Sequence, residues 1–221
     1  MKHSRDFERG DDSLLDEYLP GFRPPLEAQL IDLADEVAYN TADLDDAISA
    51  GLLRPDQVGD SVPAFAEIFE EIETQFPGAS ERERFQESLR RIIDLLVTGL
   101  IEGTARIAAE SGVRSVEDVR RHPSRIAAFA PEAGIVNRQL KLFLQSHIYS
   151  SEALAAGRRQ SSAMIAELFR FFVANPGSLP GHYREQSEGE PVHRAVCDYI
   201  AGITDVFFHR TYKSLRLGDD A

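Results

Sequence analysis

With 221 residues, 43% of them hydrophobic, the chain is long enough for one large domain or two small ones and can bury a core. A formal net charge of −13 makes the chain a poor general binder of duplex DNA, whose phosphates it repels, although nucleic acid is not excluded because a local basic groove stays open. No run of 18 apolar residues is present to span a membrane, Met1 to Gly10 lacks the apolar core of a secretory signal, and the one cysteine, Cys197, admits no internal disulfide; the expectation is a cytoplasmic protein.

Residues 1–25 are polar and end in Gly21 and the pair Pro24-Pro25, which reads as an irregular lead-in. From Leu26 to Ala50, Leu26, Leu30, Leu33 and Val37 recur at spacings of three and four, which predicts a helix, with Gly51 as its C-terminal stop. Pro55 to Gly59 reads as a turn or short linker. Val62 to Phe76 predicts a second amphipathic helix, with Phe65, Ile68, Phe69 and Ile72 on one face and Pro77-Gly78 ending it. Ser80 is an N-cap with Glu83 at the capping-box position. The helix it opens, Glu81 to about Ser111, carries Leu89, Ile92, Ile93, Leu96, Val97, Leu100 and Ile101 and is expected to be mostly buried. Gly112 to Pro131 is a looser connection with a short helix at Val116 to Arg121. Asn137 to Tyr149 and Ser151 to Ala174 predict two more helices, ended by Asn175-Pro176-Gly177 and Leu179-Pro180-Gly181. His182 to Pro191 reads as a polar loop and Val192 to Leu215 as a last helix. No stretch alternates apolar and polar residues, so the expected fold class is all-α. A Gly-rich phosphate loop, a nucleophile elbow and a CxxC pair are all missing from the sequence.

Acid is unevenly spread: Glu27 to Asp46 holds seven Asp or Glu and no Lys or Arg. Such a run is either a solvated helix face or a place where a bound cation offsets the charge. Asp35, Tyr39 and Asp43 fall at i, i+4 and i+8, along one stripe of a helix. Ala34, Val37 and Ala38 bracket Asp35, which sets a carboxylate near apolar surface, where it is costly unless paired or metal-bound.

The segment Leu26-Glu-Ala-Gln29, followed by Ala34-Asp-Glu-Val-Ala-Tyr39, Asp43 and Asp45-Asp46, resembles the second half of the dGTPase-like HD phosphohydrolases. Further matches to that family are Asn137 to Tyr149 (NRQLKLFLQSHIY), Met164 to Pro180, and Arg194 to Asp205 (RAVCDYIAGITD). The resemblance implies an all-α helical domain of the HD phosphohydrolase type, with 1–25 as lead-in, 26–60 as the last helix of the HD core, and 61–221 as a C-terminal phosphohydrolase-associated domain. It further implies hydrolysis of a dNTP to a deoxynucleoside and triphosphate, with a divalent metal such as Mg or Mn. In the family pattern Asp35 matches the last metal ligand, Tyr39 a tyrosine lying against the nucleotide, and Asp43 an aspartate that contacts the deoxyribose 3′-hydroxyl. Many members carry His before that aspartate; here the residue is Ala42. Arg90-Arg91 occupies the region of a triphosphate-binding arginine, with either one facing inward, or else it is a solvated cationic pair among Glu81, Glu83 and Glu87. Arg194, Asp198, Tyr199 and Asp205 of the closing motif are expected to brace the site, Arg194 and Asp198 as a helical ion pair, with Cys197 a small buried residue.

The family's first ligands are a His and a later His-Asp pair ahead of the LEAQ segment. None of the six histidines here is followed by Asp, and only His3 precedes Asp35. The chain is therefore expected to be a C-terminal half, whether truncated, a fragment, or half of a split enzyme, and inactive alone. Expected partners are a dNTP and either a second copy or a complementing HD half, with no membrane. The alternative is a non-catalytic helical interaction or regulatory remnant.

Overall fold

Apolar residues at helical spacing organise every long element, and the chain is all-helical. The computed structural model describes residues 21–215, so most of the lead-in expected over 1–25 lies outside the described residues. The helices are α1 (Leu26–Ser49), α2 (Pro55–Ser61), α3 (Pro63–Gln75), α4 (Glu81–Ser111), α5 (Val116–Arg121), α6 (Pro131–Leu144), α7 (Glu152–Ala174), α8 (Gly181–Gly189), α9 (Val192–Ala201) and α10 (Asp205–Ser214). A π-helical turn, Gln145–Tyr149, extends α6, and a 3-10 turn spans Pro176–Ser178. There is no strand among the described residues.

Caps set several boundaries. The Ser80 hydroxyl accepts from the Glu83 backbone N–H at 3.3 Å, while the Ser80 N–H donates to the Glu83 carboxylate at 2.8 Å. Gly112 closes α4 with φ +67° and Gly51 follows α1 with φ +69°, left-handed conformations that cost glycine nothing.

Several elements depart from the sequence expectation. Pro55 to Gly59 is not a linker: Pro55 starts α2 at a position where its missing N–H costs nothing, and Gln57 Oε1 accepts from the Arg54 N–H at 2.9 Å. α6 begins at Pro131, six residues before Asn137, for the same reason. The polar stretch after Pro180 forms α8, anchored by Tyr183, whose ring lies 5.3 Å from that of Tyr199. The last helix is two: it breaks after Ala201, and the Thr204 hydroxyl re-caps α10 by accepting from the Phe207 N–H at 3.4 Å. α4 is also less buried than expected, for Ile93, Val97 and Ile101 are exposed.

The packing falls into two compact units, one reaching Tyr149 and the other starting at Ser150. In the first, Leu44 of α1, Phe65 of α3, Phe85 and Ile92 of α4, and Leu140 and Leu144 of α6 bury one core. α4 packs unusually closely at two glycines, Gly99 against α6 and Gly103 against the segment just before it. A Cβ on Gly99 would stand 2.2 Å from that of Ala133, and one on Gly103 would stand 2.4 Å from backbone atoms of Ala128, Phe129 and Ala130. The Ala130 N–H donates to the Gly99 carbonyl at 2.7 Å across this contact. In the second unit Leu168 and Phe172 of α7 pack with Leu179, Val196 and Tyr199.

Candidate functional site

Helix α1 is pinned along both flanks. On the α6 side, Asp32 takes the Arg125 guanidinium at 2.8 Å. One turn on, Glu36 accepts from Asn137 Nδ2 at 2.8 Å and from Lys141 Nζ at 2.7 Å. Asn40 Nδ2 donates to Asn137 Oδ1 at 3.4 Å, and Asp43 accepts from the Tyr149 hydroxyl. On the α4 side, Asp45 accepts from Gln86 Nε2 at 2.7 Å and Ser49 from Arg82 at 2.8 Å. The acidic run is thus neither a plain solvated face nor one cation site, since Asp32, Glu36, Asp43 and Asp45 each meet a partner on another element.

Between those flanks α1 presents a face that these helices leave open. It carries Ile31, Ala34, Asp35, Ala38, Tyr39 and Ala42; Ile31 is 59% and Tyr39 64% exposed. Asp35 is half-buried among them. The predicted stripe is therefore split: Asp35 and Tyr39 stand on the open face, and Asp43 at its edge is drawn toward the π-helical turn. Burial, and then the Asp43 carboxylate, push the Tyr149 phenol up to about 12. π-Helical turns recur at functional sites, where they re-aim side chains.

The α1–α4 pair is antiparallel, with Arg82 at Ser49 and Gln86 at Asp45. Carried on in steps of four, that register brings Arg90 level with Thr41 and Ala42, and Val97 level with Ala34. The exposed residues Ile93, Val97 and Ile101 of α4 thereby border the open face of α1. Arg90 donates twice to Glu87, at 2.7 and 2.8 Å. Arg91 turns the other way, to Glu87 at 3.0 Å, Glu71 at 3.4 Å and Gln75 at 2.9 Å. Hydrogen bonds from Arg90 first, then Arg91, hold Glu87 down to about 2. Arg91 also lines a shallow cavity of about 300 Å3 with Asp94, Thr98, Glu102 and Glu132, to which Asp35, Tyr39 and Asp43 do not contribute.

The closing-motif residues lie in the second unit. Arg194 meets Asp198 at 3.3 Å, and Gln186 Nε2 donates to Asp198 at 2.9 Å; these two contacts, Gln186 first, lower the Asp198 carboxyl below its usual range. Tyr199 is buried edge-on to Phe172 at 5.1 Å, and Asp205 sits in the first turn of α10, where a negative charge suits the helix dipole. Cys197 is exposed rather than buried, because α9 turns Val196 and Tyr199 inward.

Sequence reasoning missed three residues. Gln29 of the LEAQ segment is fully buried; its Oε1 accepts from Ile126 N at 2.8 Å and Ala127 N at 3.2 Å, docking the connection before α6 onto α1. Asn137 and Tyr149 lie in the quoted NRQLKLFLQSHIY segment, where Asn137 opens the run that periodicity reads as helix core. Their polar contacts to α1 reach across 97 and 106 positions, and no local pattern announces such a pairing.

Residues 127–214 match the family described as the phosphohydrolase-associated domain. The chain is 35% identical over 216 residues to a deoxyguanosinetriphosphate triphosphohydrolase-like protein of Geobacter sulfurreducens, covering 97% of this chain and 55% of that one. A protein of the same description from Leptospira interrogans is 32% identical over 220 residues, covering 97% and 56%, and one from Thiobacillus denitrificans 36% identical over 195 residues, covering 87% and 50%. The chain spans about half the length of these curated relatives.

Proposed function

We propose that the chain, which belongs to the deoxyguanosinetriphosphate triphosphohydrolase-like family, supplies one metal-ligand carboxylate and part of the nucleotide pocket of a dNTP triphosphohydrolase. The reaction consumes a dNTP and water and releases a deoxynucleoside and triphosphate. The observation that carries this reading is the open face of α1, where half-buried Asp35 and exposed Tyr39 stand one turn apart among Ile31, Ala34, Ala38 and Ala42.

Asp35 offers a hard oxygen donor of the kind Mg and Mn take. A lone carboxylate does not hold such an ion against water, and among the described residues no group of three His, Cys, Asp or Glu gathers. The remaining ligands of such a site would lie outside the described residues. In a completed site the ion would polarise the phosphate and activate water. The other roles belong to this chain's own side chains. The Tyr39 ring gives the nucleotide a flat apolar wall. Asp43, oriented by the Tyr149 hydroxyl, retains lone pairs to accept the sugar 3′-hydroxyl. Of the two arginines, Arg90 suits the triphosphate better: the α1 register sets it beside the open face and its exposed guanidinium pairs with Glu87 of its own helix, whereas Arg91 is tied toward α3.

The test is complementation. This chain is combined, in trans or by fusion, with the HD half of a relative, and Mn2+ binding and triphosphate release are measured. Asp35→Ala should abolish both together. Triphosphate release that survives Asp35→Ala would refute the assignment. Robust release by this chain alone would show that the remaining ligands come from within it.

A further inference from the structure

We propose that Glu36 is a positioning residue: bridged to Asn137 and Lys141, it fixes the roll of α1 against α6 and so sets where Asp35, Tyr39 and Asp43 point. This rests on the reading of those three residues given above.

The argument is geometric. Glu36, Asn40 and Asp43 follow one another along the edge of α1 that faces α6 and its π-helical turn. The Glu36 carboxylate takes Asn137 Nδ2 at 2.8 Å on one oxygen and Lys141 Nζ at 2.7 Å on the other. Asn137 and Asn40 are both buried and share a further contact at 3.4 Å. Asn137 is therefore a hub with its carbonyl and amide both engaged across the seam. Without the Glu36 carboxylate the exposed Lys141 ammonium turns to water, but the buried Asn137 amide loses its acceptor, and a buried amide does not stay unpaired. The Asn137 amide regains a partner when α1 and α6 shift. The shift has a ready direction, because the outer face of α1, with Ile31, Ala38 and Tyr39, is exposed. A turn of α1 carries Asp35 and Tyr39 with it and pulls Asp43 from Tyr149, two turns along the same seam. Glu36 neighbours Asp35 in sequence yet points about 100° away around the helix, so it acts through placement and not through contact with substrate.

The experiment uses this chain with tyrosines labelled at 13Cζ, read by NMR at neutral pH, with Tyr149→Phe to assign the signal and exposed Tyr39 as internal reference. Glu36→Ala and Glu36→Lys should each move the Tyr149 signal toward that of a free phenol. Glu36→Gln, which keeps one acceptor, should fall between. Thr104→Ala removes a polar contact from the α4 to Ala128 junction and should leave the signal in place, which separates positioning from general loosening. An unmoved Tyr149 in a folded Glu36→Ala protein would overturn the proposal, as would a Glu36→Gln signal no nearer the parent than that of Glu36→Ala. Failure of the metal assignment would look different: in the complemented enzyme Asp35→Asn would leave Mn2+ binding intact, while the tyrosine signal would still decide for or against the seam.

Discussion

At the residue scale, the chemistry of α1 comes down to which carboxylate is claimed by what. Asp43 is held by the Tyr149 hydroxyl, so truncating it has two separable effects. In a complemented enzyme Asp43→Ala should leave metal binding intact and lower kcat/KM for dNTPs by roughly ten- to a hundredfold, the loss of one charged hydrogen bond. With a 2′,3′-dideoxynucleotide, which has no 3′-hydroxyl, the same substitution should cost little. Equal losses on both substrates would make Asp43 a structural acid. Tyr149 gives a pH test. Its phenol is raised from 10.0 to about 12, so the protonated form is favoured by folding. That contribution is present in full below the ordinary tyrosine range and is lost as pH rises toward 12. In chemical denaturation across this range, Tyr149→Phe should lose stability at neutral pH and show a flatter high-pH limb than the parent; an unchanged limb would mean that the contact is not made.

At the element scale, sign is decided by packing against propensity. Alanine is the better helix former by about 1 kcal/mol, so Gly103→Ala in the middle of α4 would stabilise an isolated helix. Here the new methyl lands 2.4 Å from the backbone of 128–130, and backbone cannot yield as a flexible side chain can. Gly103→Ala should therefore destabilise by about 1–3 kcal/mol in thermal or urea unfolding. Gly112→Ala tests a different mechanism: there is open space around it, but its φ of +67° strains any residue with a Cβ. If Gly103→Ala raised the Tm, the close approach of α4 to residues 128–130 would be wrong. The same balance explains the elements that departed from expectation. Proline read as a breaker at Pro55 and Pro131, yet at a first helical position it opens α2 and α6. The apolar run after Val192 read as one helix, but Thr204 and Asp205 form a better start for a new one than an interior.

At the scale of the whole molecule, the open face is the dominant feature. Ile31 at 59% exposed on α1, and Ile93, Val97 and Ile101 on α4, the last 62% exposed, fall by register along the α1–α4 seam. Isolated exposed apolar residues are ordinary, but contiguous ones on two packed helices mark a surface that something covers. The chain should bind an apolar dye or self-associate, and Ile31→Glu/Val97→Glu should abolish that without loss of helicity, since neither side chain belongs to the buried core. A monodisperse monomer that binds no dye at high concentration would count against a covered surface.

Much of this molecule was legible from order alone. Helical periodicity depends on neighbours three and four apart, which is why α1, α3, α4, α5 and α7 emerged within a residue or two of their bounds. Capping is equally local, and Ser80, Glu83 and Gly112 did what their types dictate. The Asp35, Tyr39 and Asp43 stripe could also be written down, because helix geometry places i, i+4 and i+8 together. What the order of residues could not decide was which side of each helix would be covered. The same seven acids permit a solvated face or a cation site, and only the arrival of Arg125, Asn137, Lys141, Tyr149 and Gln86 from distant segments assigns most of them to neither. Those pairings span up to 106 positions and depend on the crossing of α1 with α4 and α6. That crossing is set by apolar volumes and by two glycines that let helices approach, and a one-dimensional pattern carries no record of it.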